Sequence, residues 1–235
     1  MGRAFELRKS RKIKRWSSMA KTFTKIVKEI TICAKEGGID PKVNSKLRAL
    51  IQNAKSANMP KENIERALKK ASDSEGVGLK NILYEGYAPH GIALLIEATT
   101  DNNNRTVANI RSYFNKLGGS LGVSGSVEYM FERKCSFKFK PKDLNLEELE
   151  LELIDYGIDE LFTVNGDAFI YGPFDNFGSI QQKLEEKYIN ILSSEFERIP
   201  INLLELDEFN KKEVTKLINL IEEDSDVMNV FSNLK

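Results

Sequence analysis

The spacing of apolar residues changes near residue 80, and this change constrains the fold most strongly. Before it, apolar residues recur at three- and four-residue intervals, the period of a helix with one buried face. Three such stretches predict a three-helix bundle, followed by a linker over residues 72–81. The stretches are residues 20–36, the segment from Asp40-Pro41 to Asn58, and the segment opened by Pro60. Their expected inward residues are Phe23, Ile26, Val27, Ile30 and Cys33; Val43, Leu47, Leu50, Ile51 and Ala54; and Ile64, Ala67, Leu68 and Ala71.

After residue 80 the pattern alternates between strand and helix. The first predicted elements are strands at 84–88 and 92–100, a helix at 104–117 and a strand through Val127, Tyr129 and Phe131. Then follow a strand (135–140), a helix (144–156), two strands (160–164 and 168–172), a helix (176–188) and a strand (191–199). This β-α-β-β-α-β order is the ferredoxin-like arrangement. Residues 200–235 predict a further strand, a helix, and a strand through Val227–Phe231.

The helix at 144–156 is the most ambiguous of these elements. Leu149, Leu151 and Leu153 alternate with glutamates, which is the period of a strand. Gly157 stands where a helix would end, and the topology needs a crossover, so we predict a helix.

These elements predict an α+β fold with an N-terminal three-helix bundle and two α+β domains. A complete ferredoxin-like unit leaves the segments on its two sides incomplete, so we expect it to be inserted within the other α+β domain. The expected domains are a basic helical domain at 1–78, a discontinuous α+β domain at 79–134 and 200–235, and an acidic ferredoxin-like domain at 135–199.

Charge is sorted along the chain, although the formal net charge is zero. Residues 1–70 carry a net charge of +13, residues 71–140 of +1, and residues 141–235 of −14. A basic end suits a polyanion, and nucleic acid is the most common polyanion in a cell. We therefore expect the N-terminal third to contact DNA or RNA. The acidic end is expected to face away from the nucleic acid or to meet a different partner.

The predicted nucleic-acid contacts form a basic N-terminal arm and one face of the first helix. The aromatic residue of the arm can stack on a base or anchor the arm, and the lysines of the helix lie opposite its apolar stripe. The alternatives are a solvated tail and an ordinary solvated helix face, which would be favoured for the helix alone. The predicted residues are Arg8, Lys9, Arg11, Lys12, Lys14, Arg15 and Trp16 in the arm, and Lys21, Lys25, Lys28 and Lys35 in the helix.

Two further segments have the composition of anion-binding sites. Residues 99–106 (TTDNNNRT) place small polar side chains at a helix start, where free N–H groups bind anions, but these residues are also good helix caps. Arg105 is the residue there that we expect to contact nucleic acid. The glycine-dense loop at 118–126 follows a helix and opens a strand, which is the wrong order for a phosphate-binding loop. A tight turn is therefore the favoured interpretation, and a backbone surface for RNA or protein is the alternative.

No set of residues predicts a catalytic centre. His90 is the only histidine and lies in a predicted turn, without a metal-binding partner or a serine motif. The acidic segment 146–155 lacks the register of a calcium-binding loop, so a solvated helix face explains it better. We therefore expect no enzymatic activity, no cofactor, no metal and no small-molecule substrate.

The cysteines and the hydropathy pattern predict a cytoplasmic protein. Cys33 and Cys135 lie far apart with no motif around them, so neither a disulfide framework nor a zinc site is expected. No apolar run approaches the ~20 residues that span a bilayer, and no apolar region follows the basic N-terminus as in a secretory signal. A membrane is therefore not an expected partner.

Six motifs follow one another along nearly the whole chain. They are FTKIVKEI (23–30), the Lys35–Gly38 break, NMPKENIERAL (58–68), YEGYAPHG (84–91), TTDNNNRT (99–106) and GGSLGVSGSVEYMF (118–131). Together, and in this order, they resemble the motifs of the YebC/PmpR family. The resemblance implies a three-domain cytoplasmic protein without known enzymatic activity. Members of that family are described as probable transcriptional regulators that bind DNA. Relatives are also tied to translation, as mitochondrial translational activators and as ribosome-associated factors that relieve stalling on proline-rich stretches.

The N-terminus departs from the pattern of that family. Members usually begin with a Gly-His-Ser-Lys-Trp run, whereas here Gly2 is followed by RAFELRKSRKIKRW. Arg8 to Trp16 are the candidates to replace the contacts of that run. Pro89-His90-Gly91 stands where the family has proline-glycine-glycine, so His90 is not a functional residue of the family.

Two functions fit these observations, a DNA-binding regulator of transcription and a ribosome-associated translation factor that binds ribosomal RNA. Both depend on the same phosphate-binding surface, and the resemblance favours DNA. No helix carries the arginine, asparagine and glutamine set that reads base edges in a major groove, so we expect weak sequence preference.

Overall fold

The computed structural model describes residues 19–72, 78–142 and 144–235, which form seven α-helices and eight β-strands. In chain order these are α1 (Met19–Gly37), α2 (Ser45–Ser56), α3 (Lys61–Ser72), β1 (Lys80–Tyr87), β2 (Ala93–Thr100), α4 (Asn103–Lys116), β3 (Ser120–Leu121), β4 (Phe131–Phe139), α5 (Leu146–Ile154), β5 (Glu160–Val164), β6 (Asp167–Pro173), α6 (Phe177–Glu186), β7 (Ile191–Pro200), α7 (Glu208–Glu222) and β8 (Val227–Ser232). None of these helices is both long enough and apolar enough to cross a membrane.

The chain divides into two compact units, each made from two separate segments. The first unit comprises Met1–Gly76 and Arg133–Glu197, and the second unit comprises Val77–Glu132 and Arg198–Lys235.

Helices α1, α2 and α3 pack through one apolar face each, which confirms the predicted three-helix bundle. Ile30, Leu47 and Ala54 are fully buried in their common core. Ile64 and Ala67 add the apolar face of α3 to the same core. The remaining surface of the three helices is therefore available to polar and charged residues.

Helix α2 begins later than predicted, because Asn44 rather than Asp40 caps it. Asp40 and the residues after it form a separate turn, in which the Asp40 carboxylate accepts the Lys42 N–H at 2.9 Å. The buried Asn44 side chain accepts the Leu47 N–H at 3.0 Å and donates to two carbonyls at the end of α1. Val43 lies in the turn and is 82% exposed, so the prediction that it is buried was wrong.

The ferredoxin-like prediction is confirmed in the sheet that contains β4 to β7. Its strand order is β5-β6-β4-β7, and β6 pairs antiparallel with both β4 and β5. Helices α5 and α6 contribute Leu149, Leu153, Ile180 and Leu184 to the core of this sheet. Leu151, between the two buried leucines of α5, is 70% exposed, so the period of this segment is helical.

Helix α2 covers the free edge of strand β7. Asn53 donates to the Ser194 carbonyl at 2.5 Å and accepts the Ser194 N–H at 2.9 Å, as a neighbouring strand would. Gln52 and Ser56 donate to two further carbonyls of β7. The bundle and the ferredoxin-like sheet thus belong to one compact unit, and the division into three domains stays a prediction.

The second unit is built on a sheet with the order β3-β1-β2-β8. Strand β2 is buried on both faces, and successive residues alternate between them. Leu94 and Ile96 pack with helices α4 and α7, whereas Ala93 and Leu95 pack with Val127 and neighbouring residues on the other face.

Two strand predictions in the second unit were wrong. Val127 to Phe131 do not form one strand, because Glu128–Met130 form a short 3-10 helix and β4 starts at Phe131. The strand predicted between residue 200 and helix α7 is also absent from this described segment. Strand β7 continues to Pro200, which has no N–H for a ladder, and Leu204 makes only a single bridge, to Leu234.

Candidate nucleic-acid interface

The structure describes some of the residues that we predict to contact nucleic acid. Arg8, Lys9, Arg11, Lys12, Lys14, Arg15 and Trp16 lie outside the described residues. Lys21 belongs to α1, but its side chain lies outside the described part of the structure. The contacts predicted for these residues therefore stay predictions.

Three of the predicted lysines lie on α1 with described side chains. Lys25 and Lys28 are half-buried, Lys35 is exposed, and each of the three interacts with neighbouring groups. Thr31 and Ile32 are both buried, so the last turns of α1 are enclosed on more sides than the apolar stripe alone would cover. The basic face of α1 is therefore narrower than the sequence predicts.

Besides the paired Lys61, helix α3 carries three exposed cations that were not among the predicted contacts. Arg66, Lys69 and Lys70 are spaced i, i+3 and i+4, which places them on one side of the helix. The signal was present in the sequence, because the apolar residues of α3 occupy the opposite side. Near the start of the helix the charge is balanced, since Lys61 pairs with Glu65 at 3.1 Å.

Arg105 is held by two carboxylates of the second unit. Its Nη2 lies 2.8 Å from Asp226 Oδ2 and 2.9 Å from Asp101 Oδ1. The hydrogen bond to Asp226, followed by that to Asp101, raises the pKa of Arg105 above its usual value. The guanidinium already has anionic partners within the fold, so nucleic-acid contact by Arg105 stays a prediction that must compete with them.

The rest of the 99–106 segment caps α4 and holds the connection between α7 and β8. Asn102 accepts the Arg105 N–H at 3.1 Å, which confirms the capping interpretation. The hydroxyls of Thr100 and Thr106 donate to Asp226 Oδ2 at 3.1 and 2.9 Å. The anion beside this helix start is therefore a carboxylate of the chain itself.

A second acidic residue of the same connection binds the next turns of α4. Asp224 Oδ2 accepts hydrogen bonds from Asn109 Nδ2 at 3.1 Å and from the Tyr113 hydroxyl at 2.9 Å. Burial, together with the hydrogen bond to Asp224, raises the pKa of Tyr113 to about 12. Tyr113 therefore stays protonated and acts as a donor at neutral pH.

The glycine-dense loop also binds a carboxylate of the chain. Glu85 of β1 is buried and accepts N–H groups from Gly125 at 2.6 Å, Val127 at 2.7 Å and Glu128 at 2.8 Å. Burial alone would raise the pKa of Glu85, but the backbone donors, of which Val127 is the strongest, outweigh it and lower the pKa. These N–H groups are occupied, so they do not form an open phosphate cradle.

Close packing explains two glycines of this region. A Cβ on Gly86 would lie 2.6 Å from the Ser120 carbonyl, and one on Gly119 would lie 2.8 Å from the Tyr87 carbonyl. Glycine thus permits β3 to pair with β1, a short strand that the sequence did not predict.

The glycine-dense loop and the 3-10 helix after it each expose one large side chain. Val123 is 78% exposed and Tyr129 is 71% exposed, while Glu85 fixes the backbone between them. Contact of this loop with RNA or protein stays a prediction. The exposure of Tyr129 could not be read from the sequence, because the alternation from Val127 to Phe131 predicted a strand.

The remaining candidate groups are the histidine and the two cysteines. His90 adopts φ 64°, the region that favours glycine, and its Nε2 lies 2.9 Å from Glu213. Cys33 and Cys135 are unpaired and buried, and burial raises the pKa of Cys135 to about 12. In the described part of the chain, no three His, Cys, Asp or Glu side chains are grouped so that they could hold a metal ion.

Two family models and two named relatives match this chain over almost its full length. The family model described as the TACO1/YebC protein N-terminal domain matches residues 3–74, and that of the TACO1/YebC second and third domain matches residues 79–234. A "probable transcriptional regulatory protein" of Flavobacterium johnsoniae is 59% identical over 235 residues, covering 100% of this chain and 99% of its own. A protein of the same description from Parabacteroides distasonis is 55% identical over 236 residues, covering 100% and 97%.

A solved structure extends the agreement to the fold. The crystal structure of the conserved hypothetical protein Aq1575 from Aquifex aeolicus matches with a TM-score of 0.81 and 38% identity, covering 93% of this chain and 91% of that one. The resemblance noted in the sequence is thereby confirmed, and the chain belongs to the TACO1/YebC family, the family also called YebC/PmpR.

Proposed function

We propose that this protein is a non-enzymatic regulator that binds nucleic acid, and that its target is DNA near the genes whose transcription it regulates. The observation that carries the proposal is the net charge of +13 on residues 1–70 in a chain that is neutral overall. The names of the relatives support the regulatory part of the proposal.

The basic helices supply the contact surface in this proposal. Arg66, Lys69 and Lys70 stand exposed on one side of α3, and Lys35 is exposed at the end of α1. Together with the basic arm at 8–16 they would bind phosphates, which gives affinity without reading the sequence. Weak sequence preference and strong salt dependence follow from such a surface.

A second candidate function is that of a translation factor that binds ribosomal RNA and relieves stalling. The glycine loop favours it, because Val123 and Tyr129 are exposed on a backbone that Glu85 holds in place. An exposed tyrosine can stack on an unpaired base of RNA, which duplex DNA does not offer.

The proposal includes a cytoplasmic location and no catalysis. Both cysteines are unpaired, which suits a reducing compartment, and the buried Cys135 thiol is protonated and therefore a poor nucleophile. The single histidine is paired with Glu213 on the surface of the second unit.

In-cell ultraviolet crosslinking, followed by sequencing of the attached nucleic acid, tests the proposal. Chromosomal fragments clustered near promoters are expected. Ribosomal RNA reads that converge on one site would replace this function by the second candidate. Absence of any specific nucleic acid would reject both.

Matched variants show whether the recovered reads depend on the proposed surface. Recovery should fall for Arg66→Gln/Lys69→Gln/Lys70→Gln and stay unchanged for Arg105→Gln, because Arg105 is paired with Asp101 and Asp226.

A further inference from the structure

Helix α5 has a second apolar side that the fold does not use. Leu149 and Leu153 fill the core of the ferredoxin-like sheet, whereas Leu151 is 70% exposed and Ile154 is 55% exposed. Leu144, just before the helix and seven residues before Leu151, is 38% exposed. At 3.6 residues per turn, Leu151 and Ile154 lie on one side of the helix, whereas Leu144 precedes the first helical residue.

Exposed carboxylates surround Leu151 on this side. Glu147 and Glu148 lie one turn before Leu151, and Asp155 lies one turn after it. The α5 outer face, as we call it, consists of Glu147, Glu148, Leu151, Ile154 and Asp155.

The carboxylates of the outer face differ from the neighbouring Glu152. Glu152 lies 2.7 Å from Lys187 and 3.8 Å from Lys183, and the hydrogen bond from Lys187 lowers its pKa. Within the described residues, no lysine or arginine lies in ion-pair range of Glu147, Glu148 or Asp155. Glu152 is thus paired with lysines of the fold, whereas the carboxylates of the outer face are left for solvent or a partner.

We propose that the α5 outer face binds a basic, amphipathic segment of another protein. Apolar side chains of the segment would cover Leu151 and Ile154, and its lysines or arginines would pair with the surrounding carboxylates. An apolar centre with a charged rim is the usual composition of a transient protein interface. The inference is independent of the proposed function, because the outer face would repel nucleic acid.

The geometry also limits the spacing of the cations on the partner. Glu147 and Asp155 are eight residues apart on the helix, which separates their backbones by about 12 Å. Two cations about that far apart, with an apolar residue between them, would meet both carboxylates and Leu151 together. Each charge pair is at the surface, so binding should weaken as salt is raised.

Site-specific photo-crosslinking of the full chain tests this inference. A photoreactive phenylalanine derivative replaces Leu151, in cells that carry this chain in place of the native copy, and the adducts are mapped by mass spectrometry. The matched control places the same group at position 188, since Tyr188 is almost fully exposed in the same unit. We expect adducts at position 151 to a lysine- or arginine-rich segment of another protein, and not at position 188.

Two variants make the result specific to the outer face. With the photoreactive group at 151, Glu147→Lys/Glu148→Lys should reduce the adduct by about tenfold or more, and Ile154→Ser should also reduce it. All three residues are exposed, so the fold should tolerate the changes. Adducts to nucleic acid or to a second copy of this chain, adducts that survive the charge reversal, or no adduct above that at position 188 would each overturn the proposal.

Discussion

Arg105 and the N–H groups of the glycine loop belong to the second unit, where each already binds a carboxylate of that unit. Arg66, Lys69 and Lys70 of α3 belong to the first unit and are exposed. Both sets have the chemistry of an anion site in the sequence. The difference shows that the fold itself supplies the anion for one set and leaves the other exposed.

The largest expected effect is on the loop that Glu85 holds. Glu85→Ala leaves three N–H groups without their acceptor, and we expect it to lower the free energy of unfolding by about 3–5 kcal/mol. The matched control is Glu213→Ala, which removes the surface pair with His90 and should cost about 0–1 kcal/mol. Urea unfolding of the two variants measures the difference. Equal stability of the two variants would refute a structural role of Glu85.

Removal of Asp226 should have the next largest effect. Asp226→Ala deletes the acceptor of Thr100, Thr106 and Arg105, which should cost about 2–3 kcal/mol in the free energy of unfolding. Asp101→Ala is the matched control, because that carboxylate is partly exposed and its loss should cost at most about 1 kcal/mol. Tighter binding of Asp226→Ala to duplex DNA would show that the Asp226 carboxylate masks Arg105 in the wild type. Unchanged binding is the expected result if Arg105 makes no contact with DNA.

The pH dependence of stability should reveal the charged state of Glu85. Its pKa in the fold is lower than the usual 4.5, so the stabilisation is fully present above that value and is lost as the pH falls through the lower folded pKa. Between about pH 7 and about pH 3, Glu85→Gln should lose stability less steeply than the wild type, by at most about 1.4 kcal/mol per pH unit. Parallel pH profiles would show that the fold does not lower the pKa of Glu85.

The smallest expected effect concerns the edge of β7. Asn53→Ala removes the two hydrogen bonds to Ser194 from a half-buried site, which should cost about 1–2 kcal/mol. Lys55→Ala, an exposed change on the same helix, should cost no more than about 0.5 kcal/mol. Urea unfolding distinguishes them, and a cost below that of Lys55→Ala would show that α2 does not stabilise the edge strand.

Most of the fold could be predicted because periodicity is a local property. The three helices and the β-α-β-β-α-β order of elements follow from the spacing of apolar residues. The helical nature of α5 was predicted against that spacing, from Gly157 and from the need for a crossover. The errors arose where two local signals competed. Asp40 and Asn44 are both good caps, and the buried Asn44 begins the helix. Val127 to Phe131 alternate like a strand, but Glu85 binds the N–H groups of Val127 and Glu128.

Less of the candidate site could be predicted, because its partners are distant in the sequence. Arg105 and Asp226 are more than a hundred residues apart, so no local pattern reveals that they pair. Arg66, Lys69 and Lys70 were different, since their exposure follows from the apolar side of α3 that the sequence analysis had already identified. Charge should therefore be counted on the outer side of every predicted helix before a contact set is selected.

Salt-dependent binding to a duplex DNA tests the contrast between the two units most directly. The dissociation constants of the wild type, Arg66→Gln/Lys69→Gln/Lys70→Gln and Arg105→Gln would be measured between about 50 and about 200 mM salt. Loss of the three α3 cations should reduce the slope of log affinity against log salt by up to about 2.7, about 0.9 for each lost phosphate contact. Arg105→Gln should leave the slope unchanged. A reduced slope for Arg105→Gln, with the α3 variant equal to the wild type, would move the nucleic-acid surface to the second unit and refute our assignment.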